Sequence, residues 1–126
     1  MVYKVTGTNT VTLLRTNNKN IKKLTIGATV KFSDKKFKIT AISNNAFAKC
    51  KKLKKVTIGK NVKKIGKNAF YGCKKLKTVV VKSTKLTAKK IGKNAFAKTA
   101  KKAKLTAPKK KLSSYKKVFK KAGLKL

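Results

Sequence analysis

Proton transfer, metal binding and nucleophilic attack at neutral pH draw mostly on carboxylates, imidazoles and thiols. In these 126 residues such groups are nearly absent: one acid, Asp34, no histidine, and two cysteines, Cys50 and Cys73. General acid–base catalysis needs a His, Glu or Asp beside the reacting group, and Asp34 stands alone in a polar turn. Zinc, calcium and magnesium sites fail for want of ligands. Crowded lysines could form Schiff bases, but nothing in the sequence singles one out. The chain therefore reads as a non-enzyme with no cofactor and no metal.

One motif still invites a chemical reading. The octapeptide KKIGKNAF occurs at 63–70 and again at 89–96, with a looser copy, TAISNNAF, at 40–47. A Walker A phosphate loop needs G-x-x-x-x-G-K-[ST], so that several backbone N–H groups converge on the phosphates and a hydroxyl holds magnesium. Here a single glycine, Gly66 or Gly92, precedes the lysine and no Ser or Thr follows, which favours a repeated turn. Asn45, Asn68 and Asn94 share one phase of the copies. Asn is a favoured N-cap of short helical turns, and that role is expected ahead of a ligand-binding row of amides. Cys50 and Cys73 also share a phase, and free cysteine packs as a small hydrophobe. Core packing is the expectation for them, with a disulfide between coils or a reactive thiol as alternatives.

What remains is lysine. Thirty-seven lysines and Arg15 against Asp34 give a net charge of +37, where small designed domains carry a magnitude of about 2 to 8. Residues 1–50 come to +9, which leaves +28 for 51–126. Such self-repulsion opposes compactness and favours any polyanion nearby. High charge with low hydrophobicity commonly means disorder. Against that, the chain is 40% apolar, and Phe47, Phe70 and Phe96 recur in one phase as a core would require. No run approaches the ~18 apolar residues of a membrane helix, and MVYKVTGTN lacks the apolar stretch of a signal peptide.

The elements that must carry these residues emerge once the copies of NAF are aligned. IKKLTI (21–26), LKKVTI (53–58) and LKTVVV (76–81) share one apolar pattern, and AKKAKL (100–105) is a degraded fourth. Period-two alternation with β-branched residues predicts a short half-buried strand in each. The strand starts at 21, 53, 76 and 100 give steps of 32, 23 and 24 residues, within or near the 20 to 29 of leucine-rich repeats. The long first step contains VKFSDKKFKI, a hairpin inserted at 30–39. After each strand come a turn, a second apolar pair such as Val62 and Ile65, and a corner at NAF. Residues 1–20 read as an N-terminal hairpin cap around GTN, 21–105 as repeat coils, and 106–126 as a C-terminal capping helix. In that helix Leu112, Tyr115, Val118, Phe119 and Ala122 share one face, with Gly123 as its stop. Caps at both ends are what a repeat stack needs.

The unit LKKVTIGKNVKKIGKNAFYGCKKL, at 53–76, resembles the BspA-like family of leucine-rich repeat proteins, whose turns carry an I-G-x-x-A-F-x-x-C pattern. The likeness is specific over 41–99 and looser over 21–126. The third copy departs from it, with Thr99 in the phase of Cys50 and Cys73, and the family in general carries more acid than this chain. The resemblance implies an α/β repeat fold, a short solenoid with a parallel strand stack. It also implies a bacterial or protist surface protein used in attachment. Members normally carry an export signal and often an anchor. Neither is found in this sequence, so an extracellular or surface location is expected from the family while a cytoplasmic one stays open.

Within that frame the lysines have addresses. Counted from each strand start, the second position holds Lys22, Lys54, Lys77 and Lys101, and the third holds Lys23, Lys55, Thr78 and Lys102. Stacked strands about 4.8 Å apart would turn these into columns of like charge on the exposed sheet face. The candidate contacts are Lys22, Lys23, Lys54, Lys55, Lys77, Lys82, Lys101, Lys102 and Lys104. Lysine offers point charge without arginine's planar fork, so reading of particular bases is not expected, and Tyr71 is the best exposed ring for stacking. The expected function is a non-catalytic binding or adhesion module whose partner is an anionic wall polymer, glycan or host surface protein. A nonspecific nucleic-acid-associated protein and a ligand-free spacer are the rival readings.

Overall fold

The computed structural model describes all 126 residues. Two antiparallel hairpins open the chain: β1 (Val2–Val5) with β2 (Thr10–Arg15), and β4 (Thr29–Phe32) with β5 (Lys35–Ile42). Between and after them run β3 (Lys23–Ile26), β6 (Lys55–Ile58), β7 (Lys64–Ile65), β8 (Thr78–Val81) and β9 (Lys104–Thr106), followed by helix α1 (Lys109–Lys121).

A solenoid with three walls results. The first wall is the parallel sheet β3-β6-β8-β9. Alternation sets its inner face: Leu24 and Ile26, Val56 and Ile58, Val79 and Val81 point into the core, while lysines, threonines and Val80 alternate with them and face out. The second wall pairs the end of β5 with β7 and then Ile91, so that Ile42, Ile65 and Ile91 form one buried row. Strand β5 thus has two duties, the return limb of the 29–42 hairpin and the wall of the first coil. Its other edge takes β2 in parallel, which joins the N-terminal hairpin to this wall.

The third wall is the NAF corner. Phe47 N–H donates to the Ala69 carbonyl (2.7 Å) and Phe70 N–H to the Ala95 carbonyl (2.8 Å), so adjacent coils are tied backbone to backbone. Inside, Phe47, Phe70 and Phe96 stack nearly parallel with centroids 5.3 and 5.1 Å apart. The asparagines differ from the expected N-caps. Asn45, Asn68 and Asn94 sit at φ of 59, 56 and 58°, and no side-chain cap bond is made. They are chosen because Asn tolerates the left-handed region that starts the corner. The preceding glycines are needed for a different reason: a Cβ on Gly92 would run into the Gly66 and Lys67 backbone of the coil before.

Cys50 and Cys73 are free, fully buried thiols. Cys73 donates to the Phe47 carbonyl (3.0 Å), and its hydrogen bond to Cys50, with burial, pushes its pKa well above the ordinary thiol range. Thr99, in the same phase, donates to the Phe96 carbonyl at 2.8 Å, so the hydroxyl is satisfied locally.

The register of the last coil differs from the sequence reading. Strand β9 pairs Lys104 with Thr78 and Leu105 with Val79, two residues later than AKKAKL would place it. The spacing from the corner is constant, nine positions from Phe47 to Val56, from Phe70 to Val79 and from Phe96 to Leu105, so AKKAKL begins two residues too close to Phe96. The strand-to-strand step from Val79 to Leu105 is 26 because the 82–90 loop is three residues longer than 59–64. The longer loop holds a 3-10 turn at Ala88–Lys90 and is pinned at Ser83, whose hydroxyl donates to the Val62 carbonyl at 2.5 Å.

Helix α1 closes the far end. Tyr115 Oη donates to the Ser83 carbonyl (2.9 Å) and accepts the Leu86 N–H (3.2 Å), which fixes the helix to that loop. Phe119 continues the phenylalanine stack 5.1 Å from Phe96. Gly123, at φ 107°, ends the helix in a Schellman arrangement, with Leu124 N–H donating to the Phe119 carbonyl and Gly123 N–H to the Lys120 carbonyl. From Ala122 onward the chain takes the place of a further coil: the Ala122 carbonyl receives Phe96 N–H and the Lys125 carbonyl receives Ala103 N–H.

Candidate polyanion-binding face

The outward positions of the first wall form two columns. One runs Lys23, Lys55, Thr78, Lys104; the other runs Thr25, Thr57, Val80, Thr106. Lys104 therefore belongs in the lysine column, and Lys101 and Lys102 leave it. They lie in the bend before β9, with Lys102 at φ 55°, because β9 starts eight positions after Phe96, as β6 and β8 start eight positions after Phe47 and Phe70. Lys22 and Lys23 are exposed at the free edge of the sheet on β3 and just before it, and Lys82 is exposed at the opposite end of the strands beside Lys60, Thr25 and Thr57.

Lys54, Lys55 and Lys77 are drawn together. With Lys74, Lys75, Thr78 and Ala100 they line one open cleft of about 500 Å³ between the strand face and the corner. Five lysine side chains line it. The only acid, Asp34, is far along the chain in the 33–34 hairpin turn, facing Lys31 at 3.9 Å. None of the five has a counter-ion within the protein. Neighbouring charges one strand spacing apart repel by roughly 1 kcal/mol each even in water, so an anion with several charges is the ligand that relieves the most energy.

Lys74 and Lys75 lie outside the strand columns, in the turn that follows the corner. The pair KK after each cysteine, Lys51–Lys52 and Lys74–Lys75, recurs in one phase and could have shown them. Beside the cleft, Tyr71 is half-buried and shares a second depression with Lys49, Lys51, Gly72, Lys74 and Lys98. No group of three or more His, Cys, Asp or Glu side chains comes together as a metal would need, and no helix is long and apolar enough to cross a membrane.

Three parallel walls, a phenylalanine row and unbroken corner ladders define a leucine-rich-repeat solenoid. The chain belongs to the BspA type leucine-rich repeat family, whose six-copy repeat model matches residues 40–125. Among solved structures it is similar to a leucine-rich cell surface protein of Faecalibacterium prausnitzii A2-165, with 26% identity, a TM-score of 0.63, and coverage of 83% of this chain and 30% of that one. It shares its fold with a leucine-rich repeat protein of Bacteroides ovatus ATCC 8483, at 21% identity and a TM-score of 0.60, covering 86% of this chain and 36% of that one. The chain thus spans about a third of the length of either structure. No curated protein matches it. Family membership and fold make it a leucine-rich repeat module.

Proposed function

We propose that this protein is a non-catalytic binding module acting at a cell surface, and that its ligand is an anionic polymer seated across the cleft of Lys54, Lys55, Lys74, Lys75 and Lys77. The observation that carries this reading is the convergence of five lysines on one open cleft with no acid to balance them. Lysine makes charge-assisted hydrogen bonds to phosphate, sulfate or carboxylate without demanding one geometry. The contact is therefore selective for charge density and tolerant of sequence along the polymer. The named surface protein among the structural neighbours supports the location.

The test compares two charge reversals of equal size. Lys54, Lys74, Lys75 and Lys77 are changed together to Glu in one variant; Lys109, Lys110, Lys116 and Lys117, exposed on α1, are changed to Glu in the other. Binding of inorganic polyphosphate is titrated at several salt concentrations. The cleft variant is expected to lose binding and salt dependence, since each ion pair removed lowers the number of counter-ions released, while the helix variant keeps most of both. Equal losses would mean that net charge acts without a site. Tighter binding of arbitrary duplex DNA than of polyphosphate would favour the nucleic-acid reading.

A further inference from the structure

Tyr71 breaks the repeat. Its counterparts in the coils on either side are Ala48 and Ala97, so whereas Phe47, Phe70 and Phe96 cover one another, no ring of the chain stacks on Tyr71. The next residue breaks it again. Lys49, Gly72 and Lys98 occupy matching left-handed positions, at φ of 60, 78 and 59°, and only the middle one lacks a side chain. Both departures line one notch of about 320 Å³, together with Lys49, Lys51, Lys74 and Lys98.

We propose that this notch holds one sugar ring of an acidic glycan, its C–H face against Tyr71 and its carboxylate or sulfate groups on the flanking lysines. The proposal names the ligand class of the surface described above and rests on that reading, because Lys74 lines both the notch and the five-lysine cleft and a polymer in one continues into the other. A tyrosine ring offers an electron-rich face to the C–H groups of a sugar and a polar edge to water. Ammonium groups to either side donate charge-assisted hydrogen bonds to the acid groups. Polyphosphate has no ring for Tyr71 to carry. Single-stranded nucleic acid has rings, but its binding proteins stack successive bases on successive aromatic side chains. Here the positions on both sides of Tyr71 are alanine, so a single ring is accommodated.

Two variants test this, each installing what the neighbouring coils already carry; Gly72→Lys takes on the left-handed backbone strain that Lys49 and Lys98 already bear at φ 60 and 59°. Tyr71→Ala copies Ala48 and Ala97; Gly72→Lys copies Lys49 and Lys98, and a Cβ at Gly72 comes no nearer than 3.4 Å to the Lys49 side chain. Heparin, as a sulfated and uronate-containing glycan, inorganic polyphosphate and oligo-deoxythymidine serve as probes in calorimetric titrations at physiological salt. Tyr71→Ala is expected to weaken heparin binding about tenfold, the scale of one lost stacking contact, and to leave polyphosphate binding unchanged. Gly72→Lys is expected to weaken heparin binding although it adds a positive charge, and to leave polyphosphate binding equal or stronger. Heparin affinity that is unchanged in Tyr71→Ala, or raised in Gly72→Lys, overturns the proposal while leaving the polyanion reading intact. So does a loss in Tyr71→Ala that falls on oligo-deoxythymidine and spares heparin. Failure of the unmutated protein to bind either heparin or polyphosphate overturns both readings together.

Discussion

Phe70 lies between Phe47 and Phe96 with no exposed surface, so its ring touches a stacked partner on each face. Phe70→Ala would leave a void in the middle of the row and is expected to cost about 3 to 5 kcal/mol, read as a lowered urea midpoint with little change in slope. Gly92 fails in the opposite direction. A methyl group there must force the coil away from Gly66 and Lys67, so Gly92→Ala is expected to cost about 1 to 3 kcal/mol although alanine itself suits the local dihedral angles. The thiols give a residue-scale test that needs no mutation. Cys73 is buried, donates to the Phe47 carbonyl, and is held well above the ordinary thiol range by Cys50 and by burial. Iodoacetamide at mildly alkaline pH should leave Cys73 unmodified in the native protein and modify it in urea, which mass spectrometry resolves. Fast native labelling would mean that the corner opens.

Helix α1 is a weak element by itself. Its first turn holds Lys109, Lys110 and Lys111 and no acid, which opposes the helix dipole, and its N-terminus has no side-chain cap. Packing holds it: Phe119 extends the phenylalanine row and Tyr115 bridges Ser83 and Leu86. Tyr115→Phe keeps the ring and removes the bridge, leaving the Leu86 N–H buried without a partner. The expected loss is about 1 to 3 kcal/mol, accompanied by faster amide exchange in the 82–90 loop than in β6 or β8. Strand β9 sits two residues later than the pattern of AKKAKL suggests. AKKAKL carries an apolar pattern that is too weak to define its own register, and a parallel strand slips by two residues without reversing which face is buried. The spacing from the corner decides it, since Lys104 follows Phe96 by eight positions as Thr78 follows Phe70, and the two residues pair. By contrast β3, β6 and β8 were legible because three β-branched or leucine positions recur in each.

At the scale of the molecule, +37 charges are spread over every wall: the KK pairs of the second wall, Lys63–Lys64 and Lys89–Lys90, are as exposed as those on the strand face. Their repulsion opposes folding throughout. Raising salt from about 0.01 to 1 M shortens the screening length from about 30 to about 3 Å, so the melting temperature is expected to rise across that range in calorimetry. A flat or falling melting temperature would show that the lysines are already relieved in the folded state.

The sequence by itself determined the repeat, the inward phenylalanines and the lack of acid and imidazole chemistry, because periodic burial and composition are local properties of the chain. It also showed that a corner recurs at NAF, though the conformational reason for its asparagines and the close coil contact at its glycines required coordinates. The binding face was only half legible. Strand lysines could be counted from sequence, but which of them converge depends on the register of adjacent coils and on how the corner folds beside the sheet. Tertiary structure alone brought Lys74 and Lys75 to Lys54, and opened a notch at Tyr71 and Gly72 between two coils that carry alanine and lysine in the same places.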